Sequence, residues 1–179
     1  MATCYVNKKT NLNQHFPDSW RSGRPPGQHR GGRPGIPGIG SLAPKSDRLL
    51  GEIYYYPPAA VFIMIGVNDI NAAGKTPEFT AENIFKIVDL IRGHSPKTKV
   101  YVQTILPTSK EEVAAKIRKA NALLRMKASQ HRYTLIDLHK DFADDNGLLK
   151  KEFSADGIHL KEAGYQEWVE KEGASGICV

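Results

Sequence analysis

The sequence predicts an α/β fold, three layers deep with a parallel sheet in the middle, and three observations predict it. Residues 60–65 (AVFIMI) form a continuous apolar run, the character of a parallel strand covered on both faces. Two further strand-like runs follow, at residues 99–106 and 133–138. The segments between them carry helical periodicity, and strand–helix alternation of this kind builds a parallel sheet flanked by helices. In such sheets the working groups gather beyond the carboxyl ends of the strands.

The elements follow in order. After the first strand, Thr76 and Pro77 open a helix as cap residue and first helical residue, since proline lacks only an N–H that would have no partner there. Ile84, Ile87, Val88 and Ile91 repeat at helical spacing, and Gly93 is expected to stop the helix. Residues 99–106 (KVYVQTIL) read as the next strand, ended by Pro107. Ser109-Lys110-Glu111-Glu112 reads as a capping box. The helix it opens has Val113, Ile117, Ala120 and Leu124 on its buried face. Residues 133–138 supply the third strand, and Asp145-Asn146-Gly147 a turn. A last amphipathic helix carries Ala163, Tyr165, Trp168 and Val169.

The chain changes character near residue 50. Residues 20–44 are crowded with Arg, Gly and Pro, a density of helix and strand breakers at which no regular element is expected. Residues 1–48 therefore read as a basic, irregular segment and residues 49–179 as an α/β domain. Cys4-Tyr5-Val6 is too short to predict a strand. Tyr54-Tyr55-Tyr56-Pro57-Pro58 reads as a packed lead-in to the strand at residue 60. Of the net charge of +6, all the excess lies in residues 1–50, which hold eight Lys or Arg and two acids. The body is neutral and needs no polyanion. Residues 21–33 resemble Arg–Gly tracts that contact RNA through charge, but Trp20 is their sole aromatic neighbour. Nucleic acid is not the expected partner.

Cys4 and Cys178 make neither a disulfide framework nor a metal-ligand spacing and read as free thiols. No apolar run approaches the roughly 18 residues of a membrane span, and the N-terminus lacks the apolar core of a signal peptide. The chain as written is expected to be cytoplasmic.

Two motifs carry the chemistry. Gly66-Val67-Asn68-Asp69 ends the first strand, and an Asn N–H fixed there can stabilise an oxyanion. Asp156-Gly157-Ile158-His159 sets a carboxylate three residues before an imidazole, close enough to orient it as a general base. Each has a plainer reading, a turn after a strand and an Asp-Gly turn beside a surface His. Together, in this order and at these strand ends, they point to acyl-ester hydrolysis.

On these residues the sequence resembles the SGNH (GDSL-type) hydrolases, whose third block is Gly-x-Asn-Asp and fifth block Asp-x-x-His. Residues 61–70 (VFIMIGVNDI), 100–107 (VYVQTILP) and 153–168 (FSADGIHLKEAGYQEW) resemble the bacterial acylhydrolase branch. The resemblance spans about residues 49–172. It implies a flavodoxin-like α/β/α fold, no metal or cofactor, a small-molecule acyl ester as substrate, and a Ser–His–Asp triad with His159 as base and Asp156 as its orienter. It also implies an oxyanion hole built from the Asn68 side chain and backbone N–H groups of the nucleophile and a second-block glycine.

The earlier blocks depart from the pattern. Gly38-Ile39-Gly40 can be laid on the second block, which assigns the oxyanion glycine to Gly38. The first block, Gly-Asp-Ser, is absent. Asp18-Ser19 is the one Asp-Ser pair, with Pro17 in place of glycine and no apolar strand before it. Ser19 is the nucleophile the resemblance assigns. A missing first strand would leave the strand at 60–65 with an open apolar edge, and a shifted reading frame or misassigned start before about residue 47 would account for the break. The expected function is serine-dependent hydrolysis of acyl esters, acetyl esters among them, of a lipid or carbohydrate through an acyl-enzyme. Activity should rise as the imidazole loses its proton near pH ~6–7. The alternative is a catalytically inactive domain that lacks the nucleophile.

Overall fold

Alternation along one strand sets the architecture. In the computed structural model, which describes residues 3–7 and 57–174, strand β2 (Ala60–Met64) sends Val61 and Ile63 to one face and Ala60 and Phe62 to the other. All four are buried, because successive side chains of a strand point to opposite faces and both faces here are covered. β3 (Lys99–Gln103) and β4 (Thr134–Ile136) continue the sheet in parallel, with Val61 opposite Val100 and Val102 opposite Leu135.

Helices cover both faces. α1 (Val67–Asn71) follows β2 directly, and α2 (Pro77–His94) and α3 (Glu111–His131) pack on the Val61 and Ile63 side. There Ile84, Ile87, Val88 and Ile91 meet Ile117, Ala120 and Leu124. α4 (His139–Phe142), a 3-10 turn at Lys151–Phe153 and α5 (Glu162–Ala174) lie on the other side, where Phe142, Phe153 and Trp168 pack with Phe62. This is the three-layer α/β/α arrangement expected from the sequence.

Local chemistry explains most boundaries. Thr76 Oγ1 accepts the Phe79 N–H at 3.2 Å and caps α2, with Pro77 at its start. The helix does not stop at Gly93. It runs to His94, and the Ser95 N–H still reaches Ile91 O at 2.8 Å, so Gly93 is a tolerated helical glycine. The capping box does not form either. The residue capping α3 is Lys110, without a side-chain bond, and the Ser109 N–H that Glu112 would accept in a capping box goes to Gly157 O at 3.0 Å. β3 ends at Gln103, short of Pro107. Buried Asn121 of α3 takes both backbone groups of Ile105, accepting its N–H and donating to its C=O at 2.8 Å each. The expected turn at residues 145–147 is present, with Gly147 at φ +76° and Asp144 Oδ1 accepting the N–H groups of Asn146 and Leu148.

α5 departs further from its sequence pattern. Ala163, Tyr165 and Val169 are exposed, and it docks through Gly164 and Trp168. A Cβ at Gly164 would lie 2.9 Å from Phe153 O and from Leu160 Cδ2, so only glycine permits this approach.

The edge of β2 also differs from expectation. No parallel first strand occurs among the described residues. Instead β1 (Thr3–Asn7) pairs antiparallel with β2 along its whole length, from Thr3 opposite Met64 to Asn7 opposite Ala60. Five residues, too few to read as a strand in isolation, suffice when a neighbouring strand presents unpaired N–H and C=O groups. Ser19, Gly38, the basic tract and Cys178 lie outside the described residues.

Candidate active site

The loop after the 3-10 turn brings Asp156 and His159 together. Asp156 Oδ1 accepts the N–H groups of Ile158 (2.9 Å) and His159 (2.8 Å), bending the chain back on itself. That bend puts Asp156 Oδ2 2.6 Å from His159 Nδ1. One carboxylate thus shapes the loop with one oxygen and holds the imidazole with the other. The bond from the His159 ring, then the backbone N–H groups of His159 and Ile158, hold the Asp156 carboxyl well below the usual carboxylate range. An ionised carboxylate only accepts, so a neutral imidazole carries its proton on Nδ1 and its lone pair on Nε2. Nε2 makes no hydrogen bond to a described residue, and the ring is 60% exposed.

Gly157 makes the bend possible. Its φ is +78°, and a Cβ there would fall 1.8 Å from Ser109 Oγ. Conformation and space both demand glycine. The loop is thereby clamped to the segment leaving β3.

Asn68 sits in the first turn of α1, not at the strand end itself. Gly66, at φ +117°, switches the chain from β2 into this helix, and a Cβ there would meet Thr80 Cγ2 at 2.7 Å and Ile105 Cδ1 at 2.8 Å. Asn68 is exposed, while Asp69 beside it is buried. A solvent-open groove lies beside the Asp–His loop. Its walls include Ile65, Val67, Leu106, Ile158, Leu160 and Trp168, with His159 among them. Asn68, next to Val67 in the chain, is not among the residues that line the groove.

Several groups at this end of the sheet escaped sequence reading. Ser154, Ser109 and Asn121 shape the loops. Thr104 Oγ1 accepts the His139 N–H at 2.9 Å and contacts Asp137 Oδ1 at 3.3 Å, while Arg125 grips Asp137 through two bonds of 2.9 Å. Burial pushes the Asp137 carboxyl up, but the Arg125 hydrogen bond and charge outweigh it and hold the carboxyl low. Burial, then the Arg125 charge, pushes His139 down. The one signal for Ser154 was its place two residues before an Asp-Gly pair, where hydroxyls commonly bond turn backbone.

Residues 14–167 match the family model described as GDSL-like Lipase/Acylhydrolase family. The chain belongs to this family. The matched span takes in residues 19 and 38 as well as 68, 156 and 159. Comparison with curated proteins finds no match. Among solved structures, this GDSL-like chain is similar to a GDSL-like lipase from Bacteroides thetaiotaomicron, at 22% identity and TM-score 0.61, over 73% of this chain and 69% of that one. It is also similar to a carbohydrate esterase family 3 protein from Talaromyces cellulolyticus, at 22% identity and TM-score 0.62, over 73% and 63% of the two chains. A family 3 carbohydrate esterase from Clostridium thermocellum matches at 21% identity and TM-score 0.57, over 76% and 63%. At these identities the likeness is one of fold. The chain spans less than two thirds of the length of either carbohydrate esterase. Family membership places it among ester hydrolases, and no described helix is long and apolar enough to cross a membrane.

Proposed function

We propose that this GDSL-like protein hydrolyses acyl esters through a covalent acyl-enzyme, with Ser19 as nucleophile. The observation that carries the reading is the 2.6 Å Asp156–His159 pair, whose ring lies in the wall of an apolar groove. Ser19 Oγ attacks the ester carbonyl as His159 Nε2 takes its proton, and Asp156 stabilises the resulting imidazolium. The tetrahedral oxygen is held by the Asn68 side-chain N–H and the Gly38 backbone N–H. Collapse expels the alkoxide, which takes the proton from Nε2. Water, activated by the same nitrogen, then releases the acid. Residues 1–48 thus supply the nucleophile and residues 49–179 the base. The apolar lining supports a groove that seats the acyl part of the ester.

A second reading, an inactive domain without a nucleophile, is favoured by the missing Gly-Asp-Ser block and by Pro17 before Asp18. Labelling of the purified protein with a fluorophosphonate probe, followed by peptide mapping, separates the two. A label on Ser19 that disappears in His159→Ala supports the esterase. A folded sample that takes no label supports the inactive domain.

A further inference from the structure

We propose that Ser154 is the positioning residue of the Asp156–His159 pair, acting through the loop backbone without touching substrate. The inference rests on the reading of His159 as base. The loop is closed at its ends by an antiparallel bridge between Ser154 and Leu160 and by the Lys161 N–H donating to Phe153 O at 2.9 Å. Inside this closure the Ser154 hydroxyl accepts the Gly157 N–H at 2.9 Å and donates to His159 C=O at 2.7 Å. A longer contact, 3.3 Å, runs to Asp156 Oδ1. One oxygen therefore ties Asp156, Gly157 and His159 together.

Ser154 is 9% exposed, so water replaces it poorly. Without the hydroxyl, the Gly157 N–H and the His159 C=O lose their partner together. Gly157, at φ +78°, then keeps only the bond from the Ser109 N–H to its C=O, and glycine has wide conformational freedom to spend. His159 is 60% exposed and packs weakly, so its ring direction depends on the backbone beneath it. A small tilt lengthens the 2.6 Å bond to Asp156 and releases the Nδ1 tautomer. Ser154 is not a substitute nucleophile. Its proton is committed to the His159 carbonyl, and it makes no hydrogen bond to the imidazole.

The test is ¹⁵N-histidine NMR of the full-length protein, read with steady-state esterase kinetics. Wild type should show a low-field His159 Nδ1–H resonance and a single tautomer at neutral pH. Ser154→Ala should lose that resonance, with kcat down about 10–100-fold and KM within about twofold, as expected of a misplaced catalytic group. Ser154→Thr, which keeps the hydroxyl, should restore both. If Ser154→Ala does not fold, Ser154→Cys takes the same readouts, being near-isosteric with a far weaker donor. A folded variant without the hydroxyl that keeps the Nδ1–H resonance overturns the proposal. A wild type with that resonance but no esterase activity sinks the esterase reading and leaves the positioning role standing.

Discussion

Asp156 does two jobs with two oxygens, and the consequences are separable. Asp156→Asn keeps the size of the side chain but can donate to the ring, favouring the wrong imidazole tautomer. Ester hydrolysis at neutral pH should fall on the order of 10³–10⁴-fold, and a loss below tenfold in a folded variant would contradict the role. Gly157→Ala should be worse for the fold, since it combines a positive φ with a clash into Ser109, and its melting temperature should drop. His139 gives a pH signature of its own. Its folded pKa lies below the ordinary 6.5, by burial first and the Arg125 charge next. The unfolded chain therefore binds the proton more readily, so the contribution is fully present above pH 6.5 and is lost as pH falls through the folded pKa. Thermal midpoints should decline as pH falls below 6.5, and His139→Gln should flatten that decline. An unchanged slope would remove His139 from the account.

At the scale of elements, periodicity was legible and boundaries were not. The buried stripes of α2 and α3 could be read because apolar burial repeats with the helix. Asn121 could not, since a polar residue on a helix is ordinarily solvated. Its two bonds satisfy the backbone of Ile105, two residues past the end of β3. Asn121→Leu should leave both backbone groups unpaired and cost about 2–6 kcal/mol in chemical denaturation, at about 1–3 per buried group. A loss under 0.5 kcal/mol, the noise of surface substitutions, would mean another partner takes over. The capping box failed for a related reason. The Ser109 N–H that Glu112 would accept goes to Gly157 O, and a local motif yields when tertiary contact competes for it. The exposed Tyr165 and Val169 of α5 accompany a close approach at Gly164, which turns Gly164 and Trp168 to the protein instead.

At the scale of the molecule, the groove exists because four separate segments meet at one end of the sheet. Met64 closes β2 and Ile65 and Val67 follow it, Ile105 to Pro107 follow β3, Ile158 to Leu160 belong to the Asp–His loop, and Tyr165 and Trp168 come from α5. Their apolar character leads to an expected preference. The protein should hydrolyse p-nitrophenyl butanoate or hexanoate with a lower KM than the acetate, and Leu160→Asp should abolish that difference. Equal KM values across the three would show that the groove does not seat the acyl chain.

The residues proposed to do the chemistry were visible in the chain itself: Asn68 after a buried strand, and Asp156 three residues before His159. So was the α/β/α class, because a strand buried on both faces and helices with one apolar stripe leave few other ways to exclude water. These are local and periodic signals, carried by neighbours in the sequence. Tertiary structure alone decided what holds them in place: Ser109 under Gly157, Asn121 on Ile105, Ser154 across its loop, and β1 against the edge of β2. Each is a polar group whose partner lies across a turn or far along the chain. A hydrogen bond leaves no periodic trace in the sequence, so only the folded geometry could reveal which one had formed.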